Sequence, residues 1–170
     1  SAYQIQVASS LEKLKNNEID LWDSGKRNSD ETVSIIYEGK ELESSGRYFW
    51  KVVCWNDEGK QTESSSTFET GLFEADDWKG DWIGTGKAAP ENDEDFYEKI
   101  PAPLFRKSFA TRKKVTNARL YVSGLGYHEI FLNGSKVSDY WLEPGWTQFA
   151  KTVYYNVHDV TEQIQQGENA

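Results

Sequence analysis

The sequence predicts an all-β chain arranged as two β-sandwich modules, and three observations carry that expectation. Apolar and polar residues alternate with period two in one segment after another: Tyr3, Ile5 and Val7; Tyr48, Trp50, Val52 and Cys54; Leu120 and Val122; Tyr127, Glu129 and Phe131 against His128, Ile130 and Leu132; Val153, Tyr155 and Val157. Aromatic side chains, which suit a pleated and half-buried surface, are abundant, with 7 Trp, 9 Tyr and 8 Phe in 170 residues. Turn signals separate the runs at Glu38-Gly39, Asn56-Asp57-Glu58-Gly59, Asn133-Gly134 and Pro144-Gly145.

Taken in order, residues 2–8 alternate as a first strand. Ser10 then stands where an N-cap belongs, ahead of a turn or two of helix with Leu11, Leu14 and Glu18 on one side. Leu42 precedes Tyr48 by six positions. The strand from Tyr48 directs Trp50, Val52 and Cys54 inward, and residues 64–70 begin the return. A single cysteine forms no internal disulfide, and its place in the alternation makes Cys54 a core residue. Later, Asn133-Gly134 suits a hairpin because both positions tolerate positive φ, with a short return at Lys136 and Val137. Gly124 and Gly126 flank a strand handover at Leu125, and Pro144-Gly145 fits the centre of a type II turn that fixes the exit of Trp146. Near the end, Asp159 or Thr161 caps a short helical turn that stops at Gly167.

Composition excludes several functions. With 19 Lys+Arg against 28 Asp+Glu, the formal net charge of −9 offers no cationic footprint for a phosphate backbone, so no nucleic-acid partner is expected. No apolar run approaches the roughly 18 residues of a spanning helix. The chain has no Met, so Ser1 is not expected to be a native start. The segment 86–103 changes character, with Glu91, Asp93, Glu94, Asp95 and Glu98 among three prolines. A solvated loop explains it; calcium is the functional alternative, weakened by the lack of the alternating ligand order that an EF-hand loop needs.

Residues 42–71 resemble the last hairpin of a fibronectin type III module. By that resemblance Leu42 plugs the turn, the Tyr48 hydroxyl bonds back to the turn backbone, Trp50 lies inward, residues 34–37 become the strand before the hairpin, and residues 2–8 become the third strand, leaving the first two strands without residues. Further motifs, AYQIQVASS from residue 2, LWDSGK from 21, GRYFWKV from 46, FETGL from 68, LFRKSF from 104, ARLYVSGLGY from 118, LNG from 132, LEPGWT from 142 and YYNVHDVT from 154, closely resemble the N-terminal region of bacterial α-L-rhamnosidases. The resemblance implies a fibronectin-like module over residues 1–80, an acidic linker with one entry strand over 81–103, and over 104–170 the first part of a jelly-roll-like sandwich. It also implies a downstream (α/α)6 catalytic barrel, rhamnose-bearing glycans as ligands of the parent enzyme, inverting hydrolysis by two carboxylic acids outside this chain, no cofactor, and a secreted or periplasmic bacterial location.

No catalytic and no metal-binding residue is therefore expected here. Asp76-Asp77 and Asp93-Glu94-Asp95 lie in polar, loop-like surroundings that do not raise a carboxyl pKa, and His128 and His158 stand thirty residues apart with no second His or Cys near either. Asp139, Tyr140, Trp141 and Trp146 have the composition of a sugar-binding platform, since pyranose C–H faces stack on aromatic rings. Core or interdomain packing is the favoured explanation of these residues, ahead of direct sugar contact. Trp78 and Trp82 suit a plug between the modules. An autonomous lectin-like module and an adhesion or receptor sandwich remain as alternatives to a rhamnosidase scaffold.

Overall fold

A computed structural model describes every residue except 88–90 and 98; of Phe96 only the backbone is described. The chain is all-β: among the described residues there are ten strands and one α-helix of five residues. It divides into two compact units, Ser1–Trp82 and Ile83–Ala170.

The first unit is built on a four-stranded antiparallel sheet. Its strands are β1 (Ala2–Ala8), β2 (Trp22–Asp23), β3 (Arg47–Trp55) and β4 (Gln61–Glu69), in the order β2-β1-β3-β4. Seven consecutive pairs, from Ala2 opposite Trp55 to Ala8 opposite Phe49, join β1 to β3. The β3–β4 hairpin closes through Asn56, whose Oδ1 accepts from the Glu58 and Lys60 amides at 3.1 and 2.8 Å, and Gly59 takes φ +78°. Ala2, Tyr3, Val7, Ala8, Leu14, Tyr48 and Val53 are the buried apolar residues.

Between β1 and β2 lies α1 (Leu11–Lys15). The Ser10 hydroxyl accepts from the Lys13 amide at 3.2 Å, which satisfies one of the free donors of the first turn. Leu14 faces the core; Leu11 is exposed, and the segment that follows α1 is not helical. Asp20 staples the helix to β1, accepting from the Ser9 amide and hydroxyl and from Lys13 Nζ at 3.0, 2.6 and 2.6 Å. Partial desolvation pushes its pKa up, but these donors outweigh that and hold the carboxyl far below the usual carboxylate range.

Several expectations are corrected. Cys54 is exposed, and the buried residue at this end of β3 is Val53. Trp50 and Val52 are half-buried. Both faces of β3 carry apolar side chains, Tyr48, Trp50 and Val52 on one and Phe49, Val53 and Trp55 on the other, so alternation alone does not select the buried face. Cys54 pairs with Thr62 of the polar edge strand β4 beside the hairpin turn, where little covers it. Residues 34–37 form no strand. Ser34 has φ +60°, Ile36 is exposed, and Tyr37 packs edge-on to Trp22 with ring centroids 5.2 Å apart while its hydroxyl donates to the Lys40 carbonyl at 2.7 Å.

The second unit contains short two-stranded ladders: β5 (Phe109–Thr111) with β10 (Gly167–Asn169), β6 (Arg119–Ser123) with β9 (Tyr155–Asp159), and β7 (Phe131–Leu132) with β8 (Ser135–Lys136). Asn133 and Gly134 take φ +52° and +83° and make the tight β7–β8 turn. The expected strand over 127–132 is only β7 plus an isolated bridge between His128 and Glu143, although its in-and-out alternation holds, with Leu132 buried and Phe131 exposed. Gly145 does not have positive φ, so Pro144-Gly145 is not a type II turn; Leu142 takes the left-handed conformation, at φ +60°, and the Glu143–Pro144 bond is cis. Residues 161–163 form a turn and not a helix, with Asp159 Oδ1 accepting from the Thr161 amide at 3.0 Å. The described residues of 81–103 contain no strand, and Asp93–Tyr97 is a 3-10 turn; Glu98 lies outside the described residues.

The corner before β3 offers a direct test. The Tyr48 hydroxyl accepts from the Glu43 amide at 2.8 Å, and a Cβ on Gly46 would come within 2.7 Å of the Tyr48 ring. Tyr48→Phe leaves the Glu43 amide without its acceptor and is expected to cost about 1 kcal/mol. Gly46→Ala drives a methyl into the ring and costs more. Urea unfolding of the two variants beside the parent measures both.

Candidate functional site

Of the residues that chemistry singles out, those with the most open surface lie on the second unit, on the segment between β8 and β9. Tyr140 and Trp141 are each 77% exposed and Trp146 is 65% exposed. The β7–β8 hairpin supports one side of this segment. Lys136, at the end of β8, lies with Nζ 4.1 Å above the Trp141 ring and 2.8 Å from Glu129. On the other side, the Trp146 ring lies 5.5 Å from Tyr127 and 5.2 Å from Phe149, tilted at 59° and 46°.

The four sugar-platform candidates have different immediate neighbours. Trp141 belongs with Lys136, Trp146 belongs with Tyr127 and Phe149, and Asp139 and Tyr140, just ahead of Trp141 in the chain, are exposed. Tyr127, Phe149 and Lys136 are the partners that sequence reasoning missed. The outward parity of Tyr127 in its alternating run was the available signal, but its meeting with Trp146 depends on the loop.

Polar joints hold the hairpin in place. Asn133 Nδ2 donates to the Gln163 carbonyl and to Asn169 Oδ1, both at 2.8 Å, while Asn133 Oδ1 accepts from the Ala170 amide at 3.0 Å. Asn169 is 3% exposed and also bonds to Gln165 through both its amide oxygen and its amide nitrogen. The hairpin turn thus does more than reverse the chain.

Below the aromatic loop lies a second polar group. The His128 amide donates to the Glu143 carbonyl at 2.9 Å, and Asn156 Nδ2 donates to Glu143 Oε1 at 2.9 Å. His128 and His158, thirty residues apart in sequence, lie close enough here to feel each other's charge, which corrects the expectation that neither has a second histidine near it. Burial lowers the His128 pKa; the Glu143 carboxylate acts in the opposite sense, and His158 adds to the lowering. Among the described residues no cluster of three or more His, Cys, Asp or Glu is placed to hold a metal ion.

Asp77, one of the acids that could be drafted for catalysis, is a capping acceptor. The Ser44 hydroxyl bonds to it, and the Glu74 and Phe73 amides donate to it at 3.0 and 3.2 Å. The Ser44 hydroxyl bond, followed by the Glu74 amide, holds its carboxyl below the ordinary value, the reverse of what a general acid requires. Asp93 and Glu94 are exposed. Of the proposed boundary tryptophans, Trp78 is half-buried and Trp82 is 67% exposed. Leu42 is half-buried beside the Tyr48 corner.

Strand-built units whose exposed chemistry is aromatic define a tandem of β-sheet modules. Comparison with known proteins says of what kind. Residues 1–74 match the family model described as Rha78A-like, N-terminal immunoglobulin domain, and residues 113–170 match the Alpha-L-rhamnosidase N-terminal domain. An α-L-rhamnosidase of Formosa agariphila is 38% identical over 100% of this chain and 20% of its own length, and one of Alteromonas sp. is 37% identical over 100% and 19%. Among solved structures, the α-L-rhamnosidase from Dictyoglumus thermophilum superposes with a TM-score of 0.84 at 41% identity, over 99% of this chain and 20% of that one. The enzyme from Aspergillus terreus gives 0.74 at 25% identity, over 99% and 18%. The chain belongs to the N-terminal region of the α-L-rhamnosidase family, and it spans about a fifth of the length of the curated relatives it matches.

The Asn133–Asn169 joint predicts a measurable loss. Asn169→Ala takes away the acceptor used by Asn133 Nδ2 and by the Gln165 amide, two part-buried hydrogen bonds made by a buried side chain, and is expected to cost the second unit about 2 kcal/mol. Tyr48→Phe leaves that unit unchanged. Hydrogen exchange resolved by residue distinguishes the two units.

Proposed function

We propose that this chain supplies the non-catalytic N-terminal modules of a longer α-L-rhamnosidase, where they scaffold and orient the catalytic region. The observation that carries this is coverage: nearly the whole chain aligns with about a fifth of each relative, and each relative is itself an α-L-rhamnosidase. The acids agree with it. Inverting hydrolysis needs one carboxyl held protonated on one side of the bond and one ionised on the other, and Asp77 is spent as an ionised cap. On the family resemblance, the parent enzyme acts on rhamnose-bearing glycans and works outside the bacterial cytoplasm.

The exposed aromatics of the second unit supply the contact surface. Packing against the larger catalytic region is the role taken for Trp146, Tyr127 and Phe149, whose three tilted rings make a wedge of apolar area. Direct sugar contact is the second role, favoured by the exposure of Tyr140 and Trp141.

Incubating the purified 170 residues with an aryl α-L-rhamnoside is expected to give no turnover above buffer. Turnover that survives repurification would overturn the non-catalytic assignment. In the same preparation, titration with L-rhamnose and rhamnogalacturonan fragments, followed by tryptophan emission, separates the two roles of the aromatic surface. A flat response is expected for a packing surface, and a saturable one that Trp141→Ala abolishes establishes sugar contact.

A further inference from the structure

The chain contains 2 histidines, and both lie in one polar cluster of the second unit. His128 Nδ1 and Nε2, His158 Nε2 and Asn156 Oδ1 are all buried without a hydrogen-bond partner. Such groups cost stability wherever they are not satisfied, and an imidazolium in the same place costs more, because charging converts a possible acceptor nitrogen into a second donor with nothing to receive it. The cluster is also a joint. The His128 main chain bridges to Glu143 at the root of the aromatic loop, and Asn156 on β9 holds the Glu143 carboxylate. Gly124 leaves the space in which the imidazole sits, since a Cβ there would come within 3.0 Å of His128 Nδ1.

We propose that His128 is an acid-sensitive catch: with its imidazole neutral the His128–Glu143 bridge holds the root of the loop carrying Trp141 and Trp146, and charging that imidazole beside His158 opens the bridge. The groups facing His128 are few. Glu143 approaches from the loop as the one opposing charge, but its Oε1 already accepts from Asn156. His158 approaches from β9. Across from β9, β6 sets Leu120 opposite His158 and Val122 opposite Asn156, and its Arg119 pairs with Asp159 at 2.9 Å. Glu129, next to His128 in sequence, is taken by Lys136 on the opposite face.

The sign follows from burial. The fold favours neutral His128, so its folded pKa lies below the unfolded value near 6.5; stability is full above that value and falls as pH drops through it toward the folded pKa. Carboxylates titrate lower and contribute little between pH 7.0 and 5.5.

The experiment is hydrogen exchange of the residue-128 amide, which forms the bridge to Glu143, in the whole 170-residue chain at pH 7.0 and 5.5. The protection factor is expected to fall severalfold at pH 5.5, while amides in β1 and β3 keep theirs. In the double variant His128→Gln, His158→Gln, the protection of the same amide is expected to be equal at both pH values. NMR titration of the two imidazole Hε1 resonances in the parent chain, which needs no variant to fold, is expected to show His128 changing charge below the ordinary histidine range, together with the loss of protection. An unchanged protection factor in the parent, a His128 that titrates at or above the ordinary value, or a double variant with the same pH-dependent loss would each overturn the proposal.

Discussion

The first unit depends on the pairing of β1 with β3. Seven consecutive residue pairs run without interruption from Ala2 opposite Trp55 to Ala8 opposite Phe49, and β2 lies along the other edge of β1. Because β1 has partners on both sides, its backbone groups are spent in the ladder, and the rest of the unit is positioned from it. The short helix hangs from its end through Ser9, Lys13 and Asp20. Asp23 on β2 is fixed by Gln4 and Gln6, two residues of the same β1 face, whose side-chain amides donate at 2.7 and 2.8 Å. The corner at Tyr48 then sets the point from which β3 enters the sheet.

The second unit is held differently. Its ladders are two to five residues long, too short to order one another by backbone pairing alone, and side-chain amides make up the difference. Asn133 ties the β7–β8 turn to Gln163, Asn169 and Ala170, and the Thr161 hydroxyl accepts from the Ala118 amide at 2.9 Å where β6 meets the turn after β9. Among the described residues of the whole chain, no large side chain is completely buried. A unit closed by polar joints leaves apolar side chains outside, and that is where Leu125, Tyr127, Tyr140, Trp141 and Trp146 are found.

What the sequence made legible was local. Ser10 at an N-cap and Asn133-Gly134 at a tight turn each depend on residues a few positions apart, so composition and spacing carry them, while the Tyr48 corner comes with the fibronectin resemblance. The errors have one physical source, which is that the deciding contact comes from elsewhere in the fold. Parity in β3 could not select a face because both faces are apolar, and the choice of Val53 over Cys54 belongs to the neighbouring strands. The fibronectin resemblance implies a strand over residues 34–37, but Tyr37 is committed to Trp22 and to the Lys40 carbonyl. Pro144-Gly145 read as a turn centre, yet Leu142 makes the reversal. The histidine pair was invisible for the same reason: the β6–β9 register and the His128–Glu143 bridge bring together residues that sequence distance separates.

The geometry of the aromatic surface bears on what it contacts. A pyranose stacks best on a flat, open ring, and the hydroxyls at its edge need polar side chains beside that ring. Trp141 has one face occupied by the Lys136 ammonium, and the neighbouring Asp139 and Tyr140 are exposed. The Trp146 group has a different shape. Its rings are inclined to Tyr127 and Phe149 by 59° and 46°, so they present edges and a ridge and no single plane. A ridge of that kind fits into a groove of packed side chains better than it cradles a hexose. The two tryptophans of one loop therefore have different immediate neighbours, a cation over Trp141 and two tilted rings beside Trp146, which position in the sequence alone does not reveal.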